Sequence, residues 1–105
     1  MADITPVILQ EFKDRMHLDD GEDDNLLRIL KASHGELRDV CGEYDILTHE
    51  GFKELVFERS RYVYNDALEY FDTNFLSRIN TLSLRKALES IEVEGDADAT
   101  VQIQP

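Results

Sequence analysis

The stretch that most constrains the fold runs from Phe52 to Phe71, FKELVFERSRYVYNDALEYF, and holds three of the chain's five Phe and three of its four Tyr. Phe52, Leu55, Val56, Val63, Ala67 and Tyr70 recur at the three- and four-residue steps of a helix face. Phe57, Tyr64, Leu68 and Phe71 make a second row beside the first. A helix on the surface of a bundle needs only one apolar stripe, about 100° wide. The doubled stripe therefore predicts a long central helix, packed on its own bundle through one row and on another subunit through the second. Phe57, Tyr64, Leu68 and Phe71, with Arg61 on the adjoining edge, are the expected subunit contact. Arg59 lies close to the apolar row. It reads as a snorkelling side chain, or, if buried, as one that needs a carboxylate or carbonyl partner.

A helix of this kind needs neighbours, and the chain supplies them. Thr5 followed by Pro6 is a helix start, with Thr5 as N-cap and Pro6 at the first helical position, where its missing N–H costs nothing. Ile4 and Leu9 are spaced to form a hydrophobic staple. The first helix runs to about His17, with Ile8, Leu9, Phe12 and Met16 on one side and Lys13, Asp14 and Arg15 mostly on the other. Leu26, Leu27, Leu30, His34, Leu37 and Cys41 give a second helix from about residue 22 to Val40, ending near Gly42. Gly35 inside it predicts a close helix crossing. Residues 42–51, GEYDILTHEG, form a loop, and Thr48 is the expected cap of the central helix.

Between the first two helices, residues 18–24 place five carboxylates in seven residues. A calcium loop of the EF-hand kind needs acids at alternate positions ahead of its glycine. Counting back from Gly21, its first ligand would be Met16, which cannot serve. Acids collecting at a helix N-terminus, where free N–H groups and the peptide dipole favour them, account for the run better. No metal site is read here. His17, His34 and His49 have no cysteine or second histidine at a metal-ligand spacing and read as structural. The single Cys41 cannot make an internal disulfide and reads as core filling in a reducing, intracellular environment.

Asp72, Thr73 and Asn74 are a cluster of cap-forming residues where the chain turns or restarts. Phe75, Leu76, Ile79, Leu82, Leu84, Leu88 and Ile91 then cover much of the circumference of a fourth helix, to about Ser90. Between Leu76 and Leu88 the charged residues are Arg78, Arg85 and Lys86, a basic island in an acidic chain. Besides solvating the helix, these three can dock on an acidic partner surface. From Glu92 onward the chain reads as a flexible acidic and polar tail. The alternation Val101, Gln102, Ile103, Gln104 suits addition to a partner's sheet edge.

The fold expected is thus all-α, a small bundle of about four helices around a long central one. Residues 1–91 form the helical domain, and residues 92–105 the extended tail. With 23 acidic and 11 basic residues the formal net charge is −12, which argues against a protein that grips nucleic acid or anionic membranes. No apolar run approaches the roughly 20 residues of a membrane span, and MADITPVILQ has no basic region of the kind that opens a secretory signal. No phosphate loop, nucleophile elbow or zinc pattern is present. Carboxylates are too abundant to single out a catalytic pair, so neither an enzyme nor a cofactor is indicated.

Three segments resemble the small head-tail connector, or adaptor, proteins of tailed bacteriophages. LQEFKDRMHL from Leu9 to Leu18, with the acidic turn and Asp23 to Leu27, is similar to that family's first helix, acidic loop and start of its second helix. RYVYNDALEYF from Arg61 to Phe71 resembles the end of its long helix. NFLSRINTLSL from Asn74 to Leu84 resembles its last segment. The resemblance covers most of residues 5–91 and leaves the 42–51 loop and the tail unmatched. It implies a virion protein, made in the bacterial cytoplasm, that forms a ring of about a dozen subunits on the portal. The ring would extend the DNA channel without binding DNA specifically and present a surface to the next head-completion or tail protein. On that reading Arg78, Arg85, Lys86, Val101 and Ile103 face the portal. The competing expectation is an acidic DNA mimic that occupies a basic groove, which explains the charge but not the second apolar row.

Overall fold

The computed structural model describes residues 4–102, with side chains from Ile4 to Ile91. Its helices are α1 (Pro6–Met16), α2 (Asp23–Cys41), α3 (Glu50–Tyr64) and α4 (Phe71–Gln102), and no strand occurs among the described residues. Short 3₁₀ turns at Asp20–Glu22 and Leu68–Tyr70 lead into α2 and α4. The all-α bundle read from the sequence is what the chain forms. No helix among the described residues is long and apolar enough to cross a membrane.

α1 starts as its sequence dictates. The Thr5 hydroxyl accepts from the Ile8 N–H at 3.2 Å, and Pro6 takes the first turn. It stops at His17, whose backbone is left-handed (φ 59°, ψ 43°). The N–H groups of His17 and Leu18 return to the carbonyls of Asp14 and Lys13, at 3.3 and 2.9 Å. This is a Schellman closure with histidine where glycine is usual.

Lys13 departs from its expected place. It is buried, because its ammonium is drawn to Asp20 at 2.5 Å and Asp23 at 2.9 Å, where α2 begins. Those two carboxylates neutralise it, which lets its stem lie against the core.

α2 packs against both α3 and α4. Leu26, Leu30, Leu37 and Cys41 point from it into a single core shared with Ile8 and Phe12 of α1, Phe52, Leu55, Val56 and Phe57 of α3, and Phe71, Ile79 and Leu82 of α4. Cys41 is core filling, its thiol facing the Ile79 carbonyl at 3.9 Å and its pKa raised by burial. Gly35 is not a close crossing. A Cβ built there meets only the guanidinium of Arg38, at 3.9 Å, so no neighbouring helix requires the glycine. Arg59 donates to the Ser33 hydroxyl at 3.1 Å, which ties α3 to α2 through a neutral oxygen.

The cap of α3 is His49 rather than Thr48. Its Nδ1 accepts from the Phe52 N–H at 3.0 Å, a role open only to an unprotonated ring nitrogen.

The long central helix is corrected most. α3 ends at Tyr64, and Asp66 turns left-handed at φ 59°. The N–H groups of Asp66 and Ala67 close back on the carbonyls of Val63 and Tyr62, at 3.1 and 2.8 Å. This repeats the closure that ends α1. Asn65 and Asp66 form helices poorly, and Asp tolerates the left-handed region. Breaking there lets Phe71 fold back and, with Phe75, pack on Tyr62, with ring centroids at 5.8 Å in both pairs. Asp72, Thr73 and Asn74, expected to cap a helix, lie inside the first turns of α4 instead.

Candidate functional site

α4 has two apolar faces. Phe71, Phe75, Ile79 and Leu82 turn inward, where Phe71, Ile79 and Leu82 are buried and Phe75 is partly so. On the opposite side of the same helix stand Leu76, Leu84, Leu88 and Ile91, with 53, 60, 45 and 49% of their surfaces exposed. The residues between them on that outer side are Thr73, Ser77, Asn80, Thr81 and Ala87. From Thr73 to Ile91 this outer stripe therefore carries no charge, in a chain in which 32% of residues are charged. Thr81, Leu84, Leu88 and Ile91 follow the alternating three- and four-residue spacing of a helix–helix seam. The distal part of the stripe, where exposed Leu84, Leu88 and Ile91 follow one another, is the candidate interaction surface.

Beside the stripe, between α4 and α2, lies a groove of about 250 Å³. Leu37, Val40, Phe71, Leu76 and Ile79 give it an apolar lining, and Glu36, Asp72, Asn80 and Arg59 its polar groups. Val40 is another large apolar side chain left exposed.

The residues expected at a subunit contact do not share one surface. Phe57 and Phe71, only 3 and 1% exposed, are used inside the subunit's own core, Phe57 against Phe12 with centroids at 5.5 Å. Tyr64 donates to Glu22 at 2.7 Å and so joins the end of α3 to the start of α2; that bond raises the phenol's pKa. Arg61 stacks on Tyr62 and pairs with Glu58 at 2.8 Å. Leu68 keeps exposed surface on the 3₁₀ turn. The doubled stripe expected of one central helix belongs, in the folded chain, to α4. The apolar residues around much of the circumference of that helix were its signal in the sequence.

The basic island is divided as well. Lys86 lies over the Tyr44 ring, with its ammonium 4.3 Å from the centroid, and pairs with Glu89 at 3.3 Å. Arg78 stacks on Phe75 at 5.6 Å. Arg78 and Arg85, two turns apart, share one flank of the outer stripe, and both are exposed. Val101 and Ile103, with the rest of the expected tail, lie outside the residues whose side chains are described.

The acidic turn is occupied from within the chain. Asp20 and Asp23 converge on Lys13, whose pKa they raise, and the hydrogen bond from Lys13 holds the Asp20 carboxyl below its usual range. Asp19 accepts from the Gly21 N–H at 3.3 Å. Among the described residues no group of three or more His, Cys, Asp or Glu side chains is arranged to hold a metal ion. The histidines are structural here: His17 ends α1, His49 caps α3, and His34 is buried edge-on against Phe52, with centroids at 5.7 Å.

A scan of the chain against family models and searches of curated proteins and solved structures found no match.

Proposed function

We propose that this chain is a structural subunit that associates with copies of itself, of the kind that forms the ring between the head and tail of a tailed phage. The single observation that supports self-association is the outer face of α4, a second apolar surface on a helix already packed through its first. A ring needs a subunit with two different sticky sides, and α4 with its neighbouring groove offers them. The connector half of the reading comes from the resemblance of residues 9–27, 61–71 and 74–84 to that family. A conduit for DNA must not grip it, and a subunit of charge −12 repels phosphate. The DNA-mimic alternative accounts for the charge but gives no reason for the exposed apolar residues on the outer face of α4.

Mass photometry of the purified protein, alone and with portal-bearing capsids, tests both halves. The expected result is assemblies beyond a dimer and saturable capsid binding. A chain that stays monomeric and ignores such capsids would end the connector reading.

A further inference from the structure

We infer that the occupant of the α2 and α4 groove is a second copy of this chain, docked head to tail through the distal outer face of its own α4. Leu84, Leu88 and Ile91 of one copy enter the groove lined by Leu37, Val40 and Leu76 of the next. The inference deepens the self-association proposed above and does not depend on the phage setting.

Charge complementarity selects the partner. The groove is rimmed by two acids, Glu36 and Asp72, against one cation, Arg59, which donates to the neutral Ser33 hydroxyl, so an acidic balance remains. The distal segment of α4 carries exposed Arg85 beside Leu84 and Leu88; within Leu84 to Ile91 the one acid, Glu89, is paired with Lys86, and Glu92 follows Ile91. Exposed Arg85 at the edge of the apolar segment therefore complements the Glu36 and Asp72 rim of the groove, and one chain supplies both.

Geometry sets the mode. Leu76 and Leu88 are twelve residues apart, so groove and docking segment are separated by about 18 Å along the helix at 1.5 Å per residue. They are also turned by roughly 120° about its axis, at 3.6 residues per turn. With that turn between them, two α4 helices lying side by side across a two-fold axis would set groove and docking segment on opposite edges of the seam. Successive copies added in one direction pair them one to one, a heterologous contact that closes into a ring where the rotation between copies allows it.

The test uses the full chain in about 0.15 M salt, where the overall like charge is screened beyond about 8 Å. Val40→Asp spoils the groove and leaves the docking segment; Leu88→Asp does the reverse. Both positions are exposed, so circular dichroism is expected to match the parent. Each variant alone is expected to lose self-association by more than about tenfold, as for a central apolar contact. Their equimolar mixture is expected to form one-to-one dimers that grow no further. Arg85→Glu is expected to weaken assembly, and Asp72→Lys with Glu36→Lys in the same chain to restore it. A parent that stops at a dimer, a mixture that stays monomeric, or variants that assemble like the parent would each overturn the inference. Head-to-tail assembly without capsid binding would sink the connector reading and leave this one standing. Capsid binding by variants that assemble like the parent would do the opposite.

Discussion

The phenol of Tyr44 donates a 2.7 Å hydrogen bond to the carbonyl of Leu82, and so fastens the loop after α2 to the middle of α4. The same loop holds α4 at two further points. Lys86 lies over the Tyr44 ring, and its stem passes so close to Gly42 that a Cβ there would meet Cγ at 2.5 Å. The 42–49 loop thus anchors the inner side of α4 to the bundle from Leu82 to Lys86.

Tyr44→Phe removes that bond, while the Leu82 carbonyl keeps its partner within the helix. The expected cost is about 1 kcal/mol of unfolding free energy in urea titrations. Gly42→Ala is expected to cost more, about 1 to 3 kcal/mol. Its φ of 105° and ψ of 176° belong to a region open in practice to glycine alone, and Lys86 would have to move as well. Equal stability of the two variants and the parent would show that the loop does not hold α4.

Gly35→Ala is the opposite case. The position is helical, and nothing but the end of a flexible arginine lies within reach of a new Cβ. Alanine there is expected to stabilise by about 0.5 to 1 kcal/mol, through the lower backbone entropy of the unfolded chain. A loss of stability would mean that something packs on this glycine after all.

At Asp66 the left-handed backbone can be tested directly. Asp66→Ile is expected to destabilise by about 1 to 2 kcal/mol, because a branched side chain fits φ 59° badly. Asp66→Gly is expected to stay within about 0.5 kcal/mol of the parent, relief of strain being offset by a freer unfolded chain. If isoleucine were tolerated as well as glycine, α3 and α4 would be joining into one helix.

That break also marks where sequence reading loses its hold. Residues with one strong local signal are legible: Thr5 with Pro6, the apolar period of α2, the turn at Gly42. The stretch from Phe52 to Phe71 has helical period on both sides of its break, and Asn65 and Asp66 are weak punctuation among so many apolar and aromatic neighbours. What decides there is tertiary, the return of the stacked Phe71 and Phe75 rings edge-on to Tyr62, and no sequence period reports it. The burial of Lys13 is hidden in the same way, since it depends on two carboxylates brought round by a turn. A second apolar face is visible in the sequence, but its place on α4 is not, because periodicity reports a face and not which neighbour covers it.

The ion pairs between α1 and its surroundings predict how stability depends on pH. Arg15 donates two hydrogen bonds to the Glu54 carboxylate and one, at 3.3 Å, to Glu58, and the bonds to Glu54 lower that carboxyl's pKa. Lys13 does the same to Asp20. A carboxyl held lower in the folded state than in the unfolded chain contributes stability that is complete above its ordinary value, 4.5 for Glu54 and 3.8 for Asp20. That contribution is lost as pH falls through the lowered folded value. At the other end, Glu11 raises the pKa of Lys53, and Asp20 and Asp23 that of Lys13. Their contributions are complete below 10.5 and fade as pH rises through the raised folded values. Thermal melts from pH 7 downward are therefore expected to show the penalty of Glu54→Gln shrinking below about pH 4.5, with that of Asp20→Asn following at lower pH. Both pairs are partly open to water, so each penalty at pH 7 is expected to be small and to fall with added salt. A Glu54→Gln penalty as large at pH 3 as at pH 7 would show that this carboxyl stabilises α1 by packing and not by its charge.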